Sequence, residues 1–445
     1  MAGSVFDSQI YSGLFSSGEA SRLFSDSAEV RAMLLVEGAL AKAQGEAGVI
    51  PQESAAAIGR AVVEIAVDPG VLKRPAGQNG VPVPGLVAAF REEMKAPEHA
   101  QYVHWGATSQ DIMDSALMLR LRQVLALVEA DVKAAVLSLG KLAKMHAELP
   151  MAARTYGQHA TPTSFGAVAA AWGTPLLNLL EELPGLRQSC LMVSLSGAAG
   201  TSSALGMKAA EVRAAMARGL ALQDPGRSWH TDRTPVLRIA DWMLRVTLAF
   251  GKIGEDCTAL AQSEVQEISI GGAGASSTMP QKQNPVFPSM LAALARQGSG
   301  LFSVLQGASM QQHQRDGAAW FTEWMCLPQI VLGAAAAART GKELCASIAP
   351  RAEAMAAALS SGLGLIHAEA LSFALAAHLP RPDAQAAVKT LCQEALASHT
   401  PLRDLVARDY PELDTDALFD PARQMGHAPW EALQFSKKTG NLRNP

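Results

Sequence analysis

The sequence has little of what marks nucleic-acid-binding, membrane or secreted proteins. Charged residues make up only 18%, the formal net charge is −4, and no run of lysine and arginine occurs, which argues against a nucleic-acid or membrane-surface partner. No stretch of about 18 apolar residues is free of charges, so no membrane span is expected. Residues 1–17 lack a basic segment followed by an apolar one, so no signal peptide is predicted. We therefore expect a cytoplasmic protein.

Cysteine is scarce and scattered. The number of cysteines is odd, their spacing is wide, and no Cys-x-x-Cys pair occurs. This pattern is typical of buried or idle thiols in a reducing compartment, and it disfavours a disulfide framework or a zinc site. The five residues are Cys190, Cys257, Cys326, Cys345 and Cys392.

The alternation of apolar and polar residues that is typical of strands is almost absent, and the one short strand that the pattern allows is 191–195. Apolar residues make up 49% of the chain, which is enough for a large core, and the length of 445 residues favours about three domains. The apolar residues recur with a helical period almost everywhere. The first long helix is predicted to start at Asp26, with Asp26 and Glu29 as a capping box, and to be closed by Gly48 and Pro51.

The second predicted helix is much longer than a typical globular helix. It starts at Thr108 or Ser109 and runs without proline to Leu149, about 60 Å at the usual rise per residue. Such a rod must bury its apolar stripe against other rods, which predicts an all-α fold with a central bundle. Three further rods are predicted: 163–190 with kinks at Pro175 and Pro184, 234–267, and 288–348 with a break at Pro328.

Two breaks in the pattern suggest domain boundaries. One is the Pro- and Gly-rich stretch 74–84, and the other is the helix break at Pro350. The expected division is an N-terminal helical domain, a central long-helix bundle that contains a polar loop at 271–285, and a C-terminal helical domain. The boundaries are 1–111, 112–352 and 353–445.

Four segments are too polar, or too rich in glycine and serine, to be ordinary connections between rods. In the first, 104–111, the free N–H groups at the start of the long helix can bind a carboxylate, although plain capping explains it too. The second, 154–163, crowds polar side chains in a loop just before a helix, where a lone histidine is more often a surface residue. The third, 271–285, combines glycines and hydroxyls with Lys282 and Asn284. It fits a mobile lid better than a flexible linker.

The fourth segment, 311–316, is predicted to lie on a helix. Arg315 can grip a carboxylate through two parallel hydrogen bonds, and a solvated helix face is the alternative. His313 has no helix-spaced histidine or carboxylate partner, so a metal site is not expected. No cofactor is expected either.

Together the four segments resemble the fumarase/aspartase superfamily. The superfamily signature Gly-Ser-Ser-x-Met-Pro-x-Lys-x-Asn matches 275–284 with one difference, Ala275 in place of glycine. The resemblance extends over nearly the whole chain. It implies three helical domains, a homotetramer whose central helices form a 20-helix core, and active sites that take loops from three chains. It also implies a small polycarboxylate as substrate.

The resemblance also implies roles for individual residues. Ser276 matches the catalytic base, and Lys282 matches a catalytic position that binds substrate and intermediate, as does Asn284. Thr108, Ser109 and Arg315 match positions that bind substrate carboxylates, and Gln158 matches a glutamine beside the substrate. The remaining substrate-binding candidates in these segments are His104, Thr155, Tyr156 and His159.

One departure from the superfamily is informative. Members that release an amine carry a histidine where this chain has Tyr156, and the Thr-Arg-His-Asp segment of adenylosuccinate lyases has no match at 77–82. An amine must be protonated to leave, whereas a carboxylate departs as an anion at neutral pH, because its conjugate acid has a pKa near about 4. The missing donors favour the cycloisomerase branch, which 229–231 and 419–423 also resemble. Its reaction is intramolecular, between a carboxylated muconate and its lactone. The alternatives are a C–N or C–X lyase for a substituted succinate, and a catalytically silent structural relative.

Overall fold

The computed structural model of the chain describes residues 3–271, 274, 275, 279 and 282–443. Helices dominate, so the predicted all-α fold class is confirmed. The α-helices are α1 Glu19–Leu23, α2 Asp26–Glu46, α3 Gln52–Glu64, α4 Lys73–Asn79, α5 Val83–Met94, α6 Pro97–Ala100, α7 Ser109–Met145, α8 Phe165–Cys190, α9 Ala209–Leu220, α10 Thr234–Leu260, α11 Val286–Gly307, α12 Gly317–Ser347, α13 Ala352–Ser360, α14 Ala368–Ala376, α15 Arg381–Ser398, α16 Leu402–Asp409, α17 Thr415–Leu418 and α18 Ala428–Gly440.

Short strands and 3-10 turns complete the described chain. The strands are β1 Pro150–Thr155, β2 Gln158–Ser164, β3 Ile268–Ser269, β4 Gly274–Ala275, β5 Gln283–Asn284 and β6 Ala349–Pro350. They pair as three two-stranded antiparallel ladders, β1 with β2, β3 with β6 and β4 with β5. The 3-10 helices are Val5–Asp7, Pro69–Leu72, Gly206–Lys208, Gly362–His367, Pro421–Gln424 and Asn441–Arg443.

The chain divides into two compact units. Unit 1 comprises the residues up to 131 together with 179–250 and 293–339, and unit 2 comprises 132–178, 251–292 and the residues from 340 onward. The long helices α7, α8, α10, α11 and α12 contribute residues to both units. The division into domains 1–111, 112–352 and 353–445 stays a prediction.

In unit 1 the long helices are joined by apolar packing and by side-chain hydrogen bonds. Trp242 of α10 is fully buried and donates its indole N–H to the backbone carbonyl of Leu179 in α8 at 2.9 Å. The shorter helices α2 and α3 approach so closely that a Cβ added at Gly45 would lie 2.5 Å from the Cβ of Ala55. Only glycine fits at this helix crossing, which explains a residue that is otherwise unfavourable inside a helix.

Unit 2 also combines long-helix packing with a smaller apolar cluster. Trp172 of α8 donates its indole N–H to the Asp256 carboxylate of α10 at 2.7 Å. Near the C-terminus, α14, α15 and α16 bury a cluster of their own. Its members are Leu371, Leu375, Ala384, Val388, Leu391, Ala395, Leu402, Leu405 and Val406.

The predicted helix starts are close to the observed ones, and the predicted ends and breaks are less so. The N-cap of α2 is Ser25, whose hydroxyl accepts from the Ala28 N–H at 3.3 Å, so the capping box at Asp26 and Glu29 was wrong by one residue. The two acidic side chains still favour the positive end of the helix dipole. Helix α7 begins at Ser109 as predicted but ends at Met145, and α10 ends at Leu260.

The expected rod at 288–348 is two helices. Residues 308–316 separate α11 from α12, whereas Pro328 lies inside α12, which continues through it. The segment 311–316 is therefore a loop, and the prediction that it is helical was wrong. The physical signal for the loop is Asp316, whose carboxylate accepts from the N–H groups of Ala318 and Ala319 at 2.9 and 3.3 Å and caps α12.

The strand prediction also needs correction. Residues 191–195 form only an isolated bridge, between Met192 and Gln223, and no strand. The main strands lie instead at 150–164, where β1 and β2 form a hairpin in place of the predicted polar loop. Its turn has two residues, Tyr156 and Gly157, with φ of 51° and 75°. Positive φ at both positions is the geometry that matches the twist of a two-residue hairpin.

Among the described residues, α12 is long and apolar enough to cross a membrane, and α13 with the helical segment to Ala376 passes the same test only as a sharply bent pair. Of the most apolar 18-residue stretch of α12, 67% is buried inside the protein, as in the core helix of a globular domain.

Candidate active site

The start of α7 is built around one buried carboxylate. Asp111 has no exposed surface, and its oxygens accept from the backbone N–H groups of Thr108, Ser196 and Gly197 at 3.0, 2.8 and 2.9 Å. The Ser194 hydroxyl donates to the same carboxylate at 3.1 Å, and His230 Nε2 lies 2.8 Å from it. These contacts fix the segment 194–197 and His230 against the turn that carries Thr108 and Ser109.

Next to this carboxylate, Gln110 connects the helix start to Arg315. Gln110 is 2% exposed, and its amide nitrogen donates to the His230 carbonyl at 2.9 Å. Its amide oxygen therefore points the other way, where it accepts from Arg315 Nε at 2.8 Å. Within the described part of the chain, Nη2 of Arg315 is buried and has no hydrogen-bond partner. Unit 1 thus brings Arg315 together with Thr108 and Ser109, in an arrangement that leaves donors free for an anion.

His104 is held by a carboxylate from α2. Its Nδ1 lies 2.7 Å from Oε1 of Glu37, whose side chain is 1% exposed. The backbone of His104 has φ of 64°, which is uncommon for a residue other than glycine. The carbonyl of the next residue, Trp105, accepts from the Gln44 side chain at 2.6 Å. A buried carboxylate on Nδ1 favours the tautomer that leaves Nε2 free, as in general acid–base dyads.

The other candidates on 155–159 lie at the end of the hairpin in unit 2. Thr155 pairs with Gln158, and His159 lies opposite Arg154. All four candidate side chains, those of Thr155, Tyr156, Gln158 and His159, are exposed. The hairpin therefore presents them outward from its own unit.

The base of this hairpin is anchored by a buried ion pair. Arg154 donates from both Nη atoms to the Glu267 carboxylate at 2.6 and 3.0 Å, and Glu267 has no exposed surface. The Glu267 carbonyl also accepts from the Arg351 N–H at 2.8 Å. Two parallel hydrogen bonds give such a pair a defined geometry. Arg154 is thus a structural residue, and its ion pair anchors the hairpin that carries the candidates at 155–159.

Part of the signature segment lies outside the described residues. These include Ser276, the predicted base, so the predicted mobile lid is not described either. On either side of this part, Gly274 pairs with Asn284 and Ala275 pairs with Gln283. Lys282 is exposed, and Asn284 is partly buried. The described ends of the segment are therefore paired with each other as an antiparallel ladder.

The cysteines are not reactive nucleophiles. All five are free, four are buried, and Cys392 is half-buried. Burial raises the pKa of each thiol, that of Cys257 to about 12. Since the thiolate is the reactive form, these thiols are chemically quiet. In the part of the chain that the structure describes, no cluster of three histidine, cysteine or acidic side chains has the geometry of a metal site.

This environment predicts the outcome of thiol labelling. In the native protein we expect at most one thiol, that of Cys392, to react within minutes with Ellman's reagent at pH 8, and all five to react in urea. The absorbance of the released thiolate gives the count. Rapid labelling of two or more thiols in the folded protein would show that burial does not suppress their reactivity.

Known proteins resemble this chain along almost its whole length. A family model described as lyase matches residues 16–300. The chain is 37% identical over 434 residues to 3-carboxy-cis,cis-muconate cycloisomerase of Pseudomonas aeruginosa, covering 94% of each protein. It is 34% identical over 447 residues to nitrosuccinate lyase of Streptomyces davaonensis, covering 96% of this chain and 94% of that protein.

A solved structure agrees with these sequence similarities. The crystal structure of 3-carboxy-cis,cis-muconate lactonizing enzyme from Pseudomonas putida matches with a TM-score of 0.91 at 34% identity, covering 98% of this chain and 100% of that one. The family model spans more than half of the chain, and the relatives span nearly all of it. The chain therefore belongs to the lyase family, the fumarase/aspartase superfamily that its signature segment indicates.

Proposed function

We propose that this chain interconverts 3-carboxy-cis,cis-muconate and a carboxymuconolactone, a step in protocatechuate breakdown in the cytoplasm. The observation that carries the proposal is the full-length similarity, at 37% identity, to an enzyme named for this substrate. The sequence supports it, because Tyr156 stands where amine-releasing members of the superfamily have a histidine. The hairpin turn at Tyr156 thus offers no imidazole to protonate a leaving amine.

The reaction needs little from the enzyme beyond positioning and a proton. In the direction of ring closure, a carboxylate oxygen of the muconate adds to a carbon of the conjugated double bond, and the electron pair moves into the neighbouring carboxylate as an aci-carboxylate. Ser276 then delivers a proton to the carbon beside it. In the direction of ring opening, Ser276 removes that proton and the ring oxygen leaves as a carboxylate. Holding the reactive conformer and stabilising the added charge are the main catalytic tasks.

The charge is stabilised, in this proposal, by donors from the segments described above. The positive end of α7 and the hydroxyl groups of Thr108 and Ser109 bind one substrate carboxylate. Arg315, aligned by Gln110, binds another through its unpaired Nη2. Lys282 and Asn284 bind the aci-carboxylate.

The position of Gln110 predicts that its replacement changes KM more than kcat. Replacing Gln110 by methionine removes the acceptor at Arg315 Nε, so the guanidinium loses its fixed orientation. We expect kcat/KM to fall roughly tenfold to a hundredfold, mostly through KM, since misplacement by about 1 Å can cost that much. Gln123→Met, at an exposed position of the same helix, is the matched control. Unchanged kcat/KM in Gln110→Met would show that Arg315 needs no support from Gln110.

We further propose that the enzyme is a homotetramer whose active sites combine residues from different subunits. Inactive Ser276→Ala and Arg315→Met proteins, unfolded together and refolded as mixed assemblies, are then expected to regain a measurable part of the activity. Subunit exchange restores some sites when the two positions come from different chains. If the mixed assemblies stay as inactive as the separate variants, these two residues act within one chain.

The function itself is tested by following the product. Purified protein is mixed with 3-carboxy-cis,cis-muconate, and the olefinic protons are followed by NMR. Loss of the diene signals together with the appearance of lactone ring protons supports the proposal. An unchanged substrate spectrum, under conditions in which the protein is folded and fully assembled, rejects it.

A second candidate is elimination from a substituted succinate, because a nitrosuccinate lyase is 34% identical over 96% of the chain. Nitrite also leaves as a stable anion, so the absence of a histidine at position 156 fits this reaction as well. Parallel assays with nitrosuccinate, adenylosuccinate and carboxymuconate separate the candidates. Nitrite is detected colorimetrically, and fumarate by its ultraviolet absorbance.

A further inference from the structure

A buried carboxylate of α2 contacts the turn that precedes α7, and the proposed reaction gives it no role. Glu37 is 2% exposed, and its Oε1 lies 2.7 Å from Nδ1 of His104. Two helical turns further along α2, Gln44 donates to the carbonyl of Trp105 at 2.6 Å. The Ala107 N–H donates to the His104 carbonyl at 3.4 Å, so His104 is the first residue of the turn. Helix α2 therefore holds the first two residues of the turn that leads into α7.

The charge of Glu37 has one partner in the described part of the chain. Its ion pair there is with His104, and none is with a lysine or an arginine. Its second carboxylate oxygen, Oε2, is buried and has no hydrogen-bond partner among the described residues. Removing an ionised carboxylate from water is unfavourable unless a cation pairs with it. The imidazole supplies that cation when both of its nitrogens carry protons.

The orientation of the His104 ring directs its second nitrogen away from α2. The imidazole is 21% exposed, whereas the Glu37 side chain is 1% exposed. Since Nδ1 faces Glu37, the accessible part of the ring lies on the opposite edge, which carries Nε2. Thr108 and Ser109 follow four and five positions later, at the positive end of α7. A protonated Nε2 is thus a further donor close in the chain to the predicted carboxylate-binding residues.

We propose that Glu37 is a positioning residue of the substrate site, which holds His104 as an imidazolium whose Nε2–H donates to a substrate carboxylate. This role rests on the proposed function, because it requires a polyanionic ligand. The bond to Glu37 fixes the ring before the ligand binds, so less side-chain freedom is lost on binding. In the simpler alternative, Glu37 and His104 only hold the turn, and Nε2 makes no contact with the substrate.

Two variants of similar shape distinguish these roles. His104→Asn keeps the turn, because asparagine tolerates the φ of 64° and its amide nitrogen replaces Nδ1 as the donor to Glu37, but nothing replaces Nε2. Glu37→Gln keeps the size of the side chain and removes its charge. Glu46→Gln, at an exposed position of the same helix, is the matched control.

The measurement is calorimetric titration of the assembled protein with propane-1,2,3-tricarboxylate, a polyanion that has no double bond to react. We expect His104→Asn and Glu37→Gln to bind it roughly tenfold to a hundredfold more weakly, the usual loss for a hydrogen bond to a charged group. The control should bind it normally. Normal binding by folded His104→Asn, or no binding by the unmodified protein, overturns the proposal.

The double variant shows whether Glu37 acts through His104. Two amides can still form a hydrogen bond, so the double variant keeps the test open if the unpaired charge of Glu37 prevents His104→Asn from folding. We expect it to bind the tricarboxylate no more weakly than either single variant, because the same donor is lost in all three proteins. Losses that add on the free-energy scale would show that the two residues act independently, and they overturn the proposal.

Turnover provides a readout that a purely structural role would not give. With carboxymuconate, Glu37→Gln is expected to raise KM much more than it lowers kcat, since the same carboxylate is bound before and during the reaction. A fall in kcat at unchanged KM overturns the proposal. If the unmodified protein binds the tricarboxylate but leaves carboxymuconate unchanged, the proposed reaction is wrong, and the binding measurements still decide the role of Glu37.

Discussion

Replacing Ser276 by alanine is expected to lower kcat for muconate cyclisation by roughly 10²- to 10⁴-fold, the usual contribution of a positioned proton donor or acceptor. The carboxylate nucleophile belongs to the substrate, so positioning alone still supports slow addition. What fails is the transfer of a proton at carbon, because water has no fixed approach to the aci-carboxylate. The helix content and the assembly should not change, since alanine at this position removes one hydroxyl group.

The proton itself gives a sharper readout than the rate. In deuterated solvent the unmodified enzyme should exchange the lactone proton next to the carboxylate, and Ser276→Ala should not, as seen by NMR of recovered lactone. Ser263→Ala, an exposed serine of the same unit, is the matched control for both measurements. Activity within tenfold of the unmodified enzyme, or proton exchange at the normal rate, would assign the base elsewhere.

Serine is a weak base, so the prediction for Ser276 has a companion at Lys282. A serine acts as a base only when the pKa of its hydroxyl is lowered. A nearby ammonium and backbone N–H groups lower that pKa, because they favour the alkoxide. Lys282 comes directly before Gln283, which pairs with Ala275, the residue next to Ser276. Lys282→Met is therefore expected to weaken both rate and proton exchange, and Lys282→Arg to restore part of each.

The sequence predicts helices well where local signals are strong. The start of α7 at Ser109 follows from an N-capping hydroxyl, and that of α10 at Thr234 follows from Pro235 in the first turn, each ahead of a long apolar period. The hairpin at 150–164 carries no such signal. Its turn is Tyr156–Gly157 instead of the common Asn-Gly, and pairing with a partner strand holds a segment that has no apolar alternation of its own.

The same distinction holds for the candidate site: its contiguous segments can be recognised in the sequence, and its long-range contacts cannot. The signature segment and the turn before α7 can be recognised in one sequence because each is contiguous. The contacts that orient them cannot: Gln110 and Arg315 are 205 positions apart, and Asp111 and His230 are 119 apart. Likewise, Glu37 is an ordinary residue of α2 until the fold places it 2.7 Å from His104. The sequence therefore predicts which segments form the site, and only the fold shows the contacts that hold them.

The largest expected effect on stability is at a buried ion cluster in unit 1. Arg233 is 2% exposed and donates to both oxygens of Asp114 and of Glu323, at 2.7 to 2.9 Å. Burial acts to lower the pKa of Arg233, but the two carboxylates raise it above its ordinary value. Burial raises the pKa of Glu323, and Arg233 opposes that shift. The guanidinium thus offsets part of the effect of burial on the Glu323 carboxylate.

Arg233→Met is expected to lower the free energy of unfolding by roughly 3–5 kcal/mol, because it leaves Asp114 and Glu323 buried without a cation. Urea unfolding at fixed protein concentration measures the change. The triple variant with Asp114→Leu and Glu323→Met should recover most of the loss, since an apolar replacement of a whole buried cluster is often tolerated. Arg245→Met is the control: its pairs with Glu182 and Asp241 are partly exposed, so at most about 1 kcal/mol is at stake. If the triple variant is less stable than Arg233→Met alone, the carboxylates stabilise the fold through contacts other than this arginine.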